Sequence, residues 1–291
     1  MKTLIVTADD FGLSAPVNEA VEAAHRRGIL TTASLMVTAP AADDAVARAR
    51  RLPTLAVGLH LVLVDGRPAL PPEQLPDLVG PDGRFRRDPV RAGVKLFFLP
   101  RARRQAEAEV RAQLERFRAT DLPLDHVDGH HHFHQHPVIV DLLIKLAPEF
   151  GIKAVRVPLE PPLYSWRAQR EGLLRRCSGW LLSANRMRVM RRRLRAAGIH
   201  CNDHIFGLYD SGRMTPERVA RFIEHLPDGV SELYCHPATR RWPGATDNLP
   251  ESYLCVEEFN ALADPERRAR LERLGVRRAA FRDQPPLSHR Y

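Results

Sequence analysis

The sequence has few cysteines, and none of them are spaced to hold a metal ion. Its 291 residues include four, Cys177, Cys201, Cys235 and Cys255. No two form a Cys-x-x-Cys pair, which argues against a zinc knuckle or a thioredoxin-type redox motif. We therefore expect four reduced thiols in or near the core.

The sequence also lacks long apolar runs. No stretch is apolar for long enough to span a bilayer. The first ten residues end in two carboxylates, where a secretory signal would carry its cleavage site. We therefore expect a protein that is made and kept in the cytoplasm, with peripheral contact at the inner membrane face as an option.

Internal repeats, low-complexity tracts and linkers are absent as well, so a single domain over residues 1–291 is predicted. Strand and helix patterns alternate along the chain, which is typical of parallel strands joined by helical crossovers. The fold class predicted is α/β, with about seven parallel strands, enough to close into a (β/α) barrel. The predicted strands cover residues 4–8, 31–37, 56–63, 124–129, 153–158, 199–208 and 230–235.

Helices are predicted over residues 14–28, 41–52, 102–119 and 138–150, and a further one begins near Thr215. Residues 65–100 differ, because they are rich in proline and glycine and show few helical signals. This composition predicts a long loop or lid.

One segment alone carries as much net positive charge as the whole chain. The net charge is +9, and residues 166–195 alone hold ten arginines against one acid, Glu171. A general nucleic-acid-binding protein would spread its basic surface more widely, so no nucleic-acid partner is predicted. The apolar centre of this segment, residues 179–182, makes it a candidate basic amphipathic insertion that contacts anionic membrane. The alternative is that this segment is a charged helix exposed to solvent. The sequence does not predict the oligomeric state.

Polar side chains follow four of the predicted strands at their carboxyl ends. They are Asp9 and Asp10, His60, the run over residues 128–136, and His236. In barrels of parallel strands these ends face the active site, so we expect the four groups to converge.

Each group taken alone has a structural explanation. The Asp9–Asp10 pair could cap a helix, although adjacent carboxylates repel each other unless a cation or proton lies between them. His60 could be a hydrogen-bonded core residue, and His236 could be a turn residue before a proline. Together the groups favour a metal ligand set with a general base beside it.

The histidine cluster is the strongest signal for a metal. Six histidines fall within the eleven residues 126–136, and imidazole is the commonest metal ligand in proteins. Spacing alone leaves the choice open among His130, His131, His132 and His134. An Asp-His-His set leaves coordination positions free, which is typical of catalytic sites, and two imidazoles with a carboxylate suit Zn²⁺.

Four motifs in this order resemble the YdjC/ChbG family of carbohydrate deacetylases over nearly the whole chain. They are Thr7-Ala8-Asp9-Asp10-Phe11-Gly12, Gly58-Leu59-His60-Leu61, Asp128-Gly129-His130-His131-His132-Phe133-His134 and Cys235-His236-Pro237. The resemblance implies a distorted (β/α) barrel similar to NodB-type polysaccharide deacetylases.

The resemblance also implies a role for each matching residue. Asp10, His60 and His130 match the family's metal ligands, Asp9 matches the catalytic base, and His236 matches the position expected to act as general acid. The ion implied is divalent, Mg²⁺ by family and Zn²⁺ by ligand type.

His132 and His134 are expected to line the substrate cleft or to support the ligands. Further stretches, such as residues 61–68, 97–100 and 202–208, resemble the HpnK branch, which is associated with hopanoid biosynthesis. That branch implies N-acetylglucosamine on a glycosylated hopanoid lipid as substrate. Soluble chito-oligosaccharides, another metal-dependent hydrolysis such as that of a phosphoester, and an inactive metal-binding barrel are the alternatives.

Overall fold

Seven parallel strands form one sheet in this computed structural model, which describes residues 1–244 and 249–284. The sheet order is β4-β3-β2-β1-β6-β5, and β7 pairs with the first part of β1. The strands are β1 Lys2–Phe11, β2 Thr32–Leu35, β3 Ala56–Leu61, β4 Leu124–Gly129, β5 His204–Phe206, β6 Gly229–Cys235 and β7 Arg277–Ala279.

Helices follow the strands, as the alternating pattern predicts. Within the described residues they are α1 Ala15–Arg27, α2 Ala42–Arg50, α3 Pro89–Phe98, α4 Pro100–Arg118, α5 Pro137–Phe150, α6 Pro162–Gln169, α7 Leu173–Ala196, α8 Pro216–Glu224, α9 Cys255–Ala263 and α10 Glu266–Arg273. The helices predicted at 14–28, 41–52, 102–119, 138–150 and after Thr215 are confirmed to within a few residues.

The sheet curves into a distorted barrel, which confirms the predicted fold class. Its edge strands β4 and β5 do not pair with each other. The extended segment after α5 lies between them, where Val155 bridges Val127 of β4 and Ala154 bridges His200. The strand predicted over residues 153–158 is therefore reduced to isolated bridges, and the seventh strand is instead β7 near the end of the chain.

Two other predicted elements differ from the structure. The segment 65–100 is not loop throughout, because α3 occupies its last part. Asp88 begins this helix by accepting hydrogen bonds from the N–H groups of Val90 and Arg91, and Pro89 takes the first helical position. The strand expected over 199–208 is shorter, with only the three residues of β5 in the ladder.

The core lies between the sheet and the helices. All six residues of β3 and nine of the ten in β1 are buried, which explains why these strands appear as continuous apolar runs. The four cysteines are free, three buried and Cys177 half-buried, as expected. Among the described residues no helix combines the length and apolar character needed to cross a membrane.

Candidate active site

The carboxyl ends of β1, β3, β4 and β6 meet at a cavity of about 210 Å³. The four polar groups predicted to converge all reach it. The cavity is lined by Asp9, Asp10, His60, Gly129, His130, His131, His132, Leu208, Ser211, Tyr234, His236, Leu249, Pro250 and Tyr253.

Two adjacent carboxylates reach this cavity because β1 is irregular at its end. On a regular strand Asp9 and Asp10 would point to opposite faces. Here the register with β2 shifts between Ala8 and Phe11, and Asp10 takes a left-handed backbone conformation with φ 61°. Neither aspartate caps α1, whose N-cap position is occupied by Ser14.

Asp10, His60 and His130 form a compact cluster with one donor atom each inside 4.8 Å of the others. Asp10 Oδ1 lies 3.1 Å from His130 Nδ1 and 3.3 Å from His60 Nε2. Asp10 Oδ2 and His130 Nε2 are buried and have no hydrogen-bond partner. Buried polar atoms normally have a hydrogen-bond partner. Two that lack one are expected where the atoms coordinate a cation.

The electrostatics of the cluster favour positive charge. Burial would raise the pKa of Asp10, but the imidazoles of His130 and His60 hold it well below its usual range. Burial would lower the pKa of His60, but Asp128 and Asp10 raise it to about 10. The residues therefore fit a divalent cation held by one carboxylate and two imidazoles.

His60 is oriented from behind by a carboxylate. Its Nδ1 lies 2.8 Å from Asp128 Oδ1, and Ser34 Oγ donates to the other oxygen of Asp128 at 2.8 Å. A carboxylate behind a ligating histidine fixes the ring and raises its basicity. Asp128, counted in the sequence only as part of the polar run, thus has a supporting role.

Asp9 stands apart from the Asp10 cluster because a buried arginine holds it. Arg156 donates to both of its carboxylate oxygens, at 2.7 and 2.8 Å. The same guanidinium contacts Asp128 Oδ2 at 2.8 Å and Glu232 Oε1 at 2.7 Å. Asp9, His60 and Asp128 also lie close enough to share a cation, but the positive charge of Arg156 between the two carboxylates opposes a second ion there.

The sequence reasoning missed Arg156 and Glu232. Arg156 follows Ala154 and Val155 in an apolar run, and Glu232 lies inside β6. Both are fully buried. A charged residue inside a predicted buried segment requires a partner of opposite charge, and this signal could have linked the two.

The structure separates the histidine run into different environments. His130 belongs to the Asp10 cluster, while His131 and His132 have left-handed backbone conformations with φ 52° and 53° and line the cavity. His132 Nε2 lies 3.1 Å from the hydroxyl of Tyr234. His136 caps α5 by accepting a hydrogen bond from the N–H of Val138.

His134 does not line the cavity. Its side chain is fully buried, with Nε2 3.0 Å from the backbone carbonyl of Arg156. Burial lowers the pKa of His134 to about 4, so the ring is neutral near pH 7. His134 therefore contacts the backbone of Arg156 and not the cavity.

His236 lies at the cavity wall next to two tyrosines. Its ring centroid is 5.7 Å from that of Tyr234 and 5.2 Å from that of Tyr253. Its backbone N–H donates to Glu258 Oε2 at 2.6 Å, while Nδ1 has no hydrogen-bond partner. Ser211 and Tyr253 add hydroxyl groups that lie 2.9 Å apart. This wall offers aromatic and hydroxyl groups of the kind that orient a polar ring.

Comparisons with known proteins agree with this arrangement. The YdjC-like protein family matches residues 3–273. A carbohydrate deacetylase of Brevibacillus brevis is 36% identical over 236 residues, which are 81% of each chain. One of Geobacillus stearothermophilus is 33% identical over 283 residues, or 96% of each chain.

A crystal structure supports the fold. It is that of an Enterococcus faecalis protein whose description names cellobiose-phosphate cleavage. The TM-score is 0.74 at 24% identity, covering 97% of this chain and 98% of the other. On the family match and the two relatives, the chain belongs to the YdjC-like family.

Proposed function

We infer that this protein is a carbohydrate deacetylase, a hydrolase that depends on a divalent metal ion and removes the acetyl group from N-acetylglucosamine. The observation that carries the inference is that the two adjacent carboxylates have different partners. Asp10 joins His60 and His130 in a cluster with unpartnered atoms, and Asp9 is held separately by Arg156. The two relatives described above are named carbohydrate deacetylases, which supports the same reaction.

Asp10, His60 and His130 are the residues that would hold the ion. When bound, a divalent ion supplies Lewis acidity and lowers the pKa of bound water. Mg²⁺ follows from the family and Zn²⁺ from the two imidazoles. On ligand type alone the cluster suits Zn²⁺ better than Mg²⁺, and metal analysis of the purified protein distinguishes the two.

Proton transfer falls to Asp9 and His236. Asp9 accepts a proton as a water oxygen attacks the acetamide carbonyl carbon, and Arg156 keeps the Asp9 carboxylate oriented toward the cavity. The C–N bond then breaks, His236 donates a proton to the departing sugar amine, and acetate leaves. Positioned acids and bases of this kind contribute about 10²–10⁴-fold each.

The cavity suits one sugar unit with the remainder of the substrate outside. Its volume of about 210 Å³ is smaller than the roughly 300–1,000 Å³ of sites that enclose drug-sized ligands. An apolar groove of about 510 Å³ adjoins it, and His131 lines both spaces. The apolar lining of the adjoining groove supports a substrate whose sugar is attached to an apolar group. We propose that this substrate is a glycosylated hopanoid. A soluble chito-oligosaccharide is the alternative substrate.

Acetate release tests the reaction. Purified protein of known metal content is given an N-acetylglucosaminyl hopanoid and, separately, N,N′-diacetylchitobiose, each with and without EDTA. We expect release that EDTA stops and added Mg²⁺ or Zn²⁺ restores, with the hopanoid preferred. Phosphate release from model phosphoesters is measured in parallel to check the phosphoesterase alternative.

Each outcome has a distinct meaning. Preference for chitobiose would contradict the lipid assignment but keep the deacetylase. No acetate from either substrate, with metal bound, would contradict the deacetylase. Release unaffected by EDTA, in protein shown to be metal-free, would contradict the metal dependence alone.

A further inference from the structure

Exposed apolar side chains are concentrated in two parts of the chain. Of the fourteen large hydrophobic residues exposed in the described structure, eleven lie within residues 90–99 and 163–189. Single exposed apolar residues need no explanation, but a contiguous group marks a binding surface.

The first part is a helix whose apolar side faces outward. In α3, Val90, Val94, Phe97 and Phe98 follow one another at i, i+4, i+7 and i+8, a spacing that places them on one side. Their exposed fractions are 72, 53, 50 and 71%, whereas Leu96 is buried. A helix of a globular protein normally packs its apolar side against the core. This apolar stripe of α3 instead faces solvent.

The second part is α7, which packs on the barrel with one side and presents another to solvent. Ala184, Met187, Met190 and Leu194 are buried. Leu182, Arg186, Val189 and Arg193 share an outward side at i, i+4, i+7 and i+11, and both apolar members are exposed.

Arg186 connects the two helices into one surface. It lines the apolar groove together with Val90, Val94, Phe97 and Phe98, so α7 and α3 both border this groove. Arg186 also donates to Gln135 Oε1 at 3.0 Å, within the histidine run. We name this surface the α3/α7 face, comprising the apolar stripe of α3 and the outward side of α7.

The two chain segments that contain the α3/α7 face are strongly positive in net charge. Residues 86–104 hold seven basic residues against one acid, Asp88, and residues 166–195 hold ten arginines against Glu171. Together these segments carry more positive charge than the whole chain, whose net charge is +9, so the rest of the molecule is net negative. The basic residues therefore accompany the exposed apolar ones.

Not all of these arginines are available to a partner. Arg176 is buried in an internal ion-pair network, and Arg193 pairs with Asp141. Arg188 lies over the ring of Trp180 at 4.9 Å. Seven of the ten arginines in residues 166–195 are exposed, two of which are Arg188 and Arg193, and Arg186 lines the groove itself.

We propose that the α3/α7 face docks on an anionic lipid bilayer. Apolar side chains on one side of a helix, flanked by arginine and lysine, are what an interfacial helix places at the boundary between headgroups and acyl chains. A second copy of the chain is a poorer occupant, because two such faces would bring like charges together. Since His131 lines both the groove and the catalytic cavity, docking would place the cavity next to the membrane surface.

Vesicle flotation with the full chain tests the docking. The vesicles contain phosphatidylcholine alone or phosphatidylcholine with one quarter phosphatidylglycerol, at low and at physiological salt. We expect binding to the anionic vesicles that weakens with salt, since each basic residue near such a surface favours partitioning by about fivefold.

Matched variants separate the two contributions. Val94→Asp/Phe98→Asp removes apolar contact and Arg186→Glu/Arg192→Glu reverses charge at two exposed arginines of α7, and each is expected to lower partitioning at least about tenfold. Leu274→Asp/Arg273→Glu makes the same kinds of change on exposed residues at the C-terminal end of α10 and should bind like the unaltered protein. Circular dichroism checks that all three variants are folded.

Three results would overturn the proposal. One is no binding of the unaltered protein to anionic vesicles at low salt. Another is equal loss in the α10 control. The third is a dimer by analytical ultracentrifugation that Val94→Asp/Phe98→Asp converts to monomer without any change in vesicle binding. Flotation requires no turnover, so its failure would leave the deacetylase assignment unaffected.

Discussion

Two buried arginines of this protein can be compared directly. Arg156 and Arg176 are the two largest fully buried side chains in the described structure, and each contacts several carboxylates. Arg156 lies beneath the catalytic cavity, whereas Arg176 lies between α6, α7 and the loop after β5. Breaking either network would leave uncompensated buried charge, so both contribute to folding.

The network of Arg156 has an excess of negative charge. One guanidinium faces Asp9, Asp128 and Glu232, with Asp10 close by. Glu232 Oε2 and Asp10 Oδ2 have no hydrogen-bond partner. His60, whose pKa Asp128 and Asp10 raise to about 10, supplies further positive charge, and the unpartnered carboxylate oxygens fit an added cation.

The network of Arg176 is balanced and complete. Its two carboxylates, Glu160 and Asp210, face Arg176 and a second cation, Arg218. Glu160 Oε2 also accepts hydrogen bonds from two backbone N–H groups, those of Leu208 and Tyr209. The comparison shows that burial of charge alone does not identify a site, whereas unbalanced charge with unpartnered atoms at a cavity does.

The largest effect is expected from changing Asp9, the carboxylate that Arg156 holds. Asp9→Asn should reduce acetate release by about 10²–10⁴-fold because the proposed general base is lost, while the proposed ligands Asp10, His60 and His130 still bind the ion. Turnover and metal content are measured together. Asp43→Asn, a change of the same kind on an exposed residue, is the control. Near-normal turnover of Asp9→Asn would show that Asp9 is not the base.

Arginine-to-lysine changes sharpen the comparison. Arg156→Lys and Arg176→Lys should both lower stability, by about 1.5–3 kcal/mol for each charged hydrogen bond lost. Only Arg156→Lys should also lower kcat, by about 10–100-fold, because Asp9 loses its two-pronged support. Urea denaturation and steady-state kinetics are measured for both. Equal losses of kcat in folded proteins would contradict the distinction between the networks.

A pH effect on stability is expected from the Arg176 network. Burial raises the pKa of Glu160 to about 7, so the folded chain binds a proton there more readily than the unfolded chain does. The resulting stability is complete below about pH 4.5 and is lost as the pH rises through 7, by up to about 3 kcal/mol.

Glu160→Gln should remove this dependence. Urea denaturation from pH 5 to pH 8 measures it, with the exposed Glu149→Gln as control. The idea fails if Glu160→Gln retains the same loss of stability between these pH values as the unaltered protein.

The smallest effects come from one serine in each network. Ser34 Oγ donates to Asp128 and Ser165 Oγ donates to Glu160, so each alanine variant should cost about 1 kcal/mol of stability. Only Ser34→Ala should weaken metal binding, since Asp128 orients His60. Calorimetric titration of Mg²⁺ or Zn²⁺ distinguishes them, and unchanged affinity in Ser34→Ala would limit the supporting role to Asp128 itself.

The sequence predicts the fold and most of the cavity because local patterns are strong there. Apolar runs ending in acids or histidines indicate both the strands and their carboxyl ends, and Asp10, His60 and His130 do converge. The failures lie where tertiary contacts decide. Residues 153–158 have a strand pattern, but lying between two edge strands they form only isolated bridges.

Arginine content was similarly misleading without tertiary structure. The sequence places Arg176 in a basic segment although its side chain is buried, and it gives no local signal for Arg156, which contacts Asp9, Asp128 and Glu232. Composition gives the number of charges, but only the packing of distant segments decides which carboxylate each arginine meets. The pairing of Arg156 with Glu232 spans 76 residues of sequence, beyond the reach of any local pattern.

The left-handed backbone at Asp10 has a consequence for protein engineering. On a regular strand of another barrel, the two aspartates would point to opposite faces of the sheet, and one carboxylate would miss the cavity. A design that reuses this pair must therefore include the register shift between Ala8 and Phe11. Asparagine tolerates this backbone shape better than most residues do, which makes Asp10→Asn a cleaner probe than a longer side chain. A design that copies only the Asp9-Asp10 dipeptide, without this backbone conformation, would not reproduce the site.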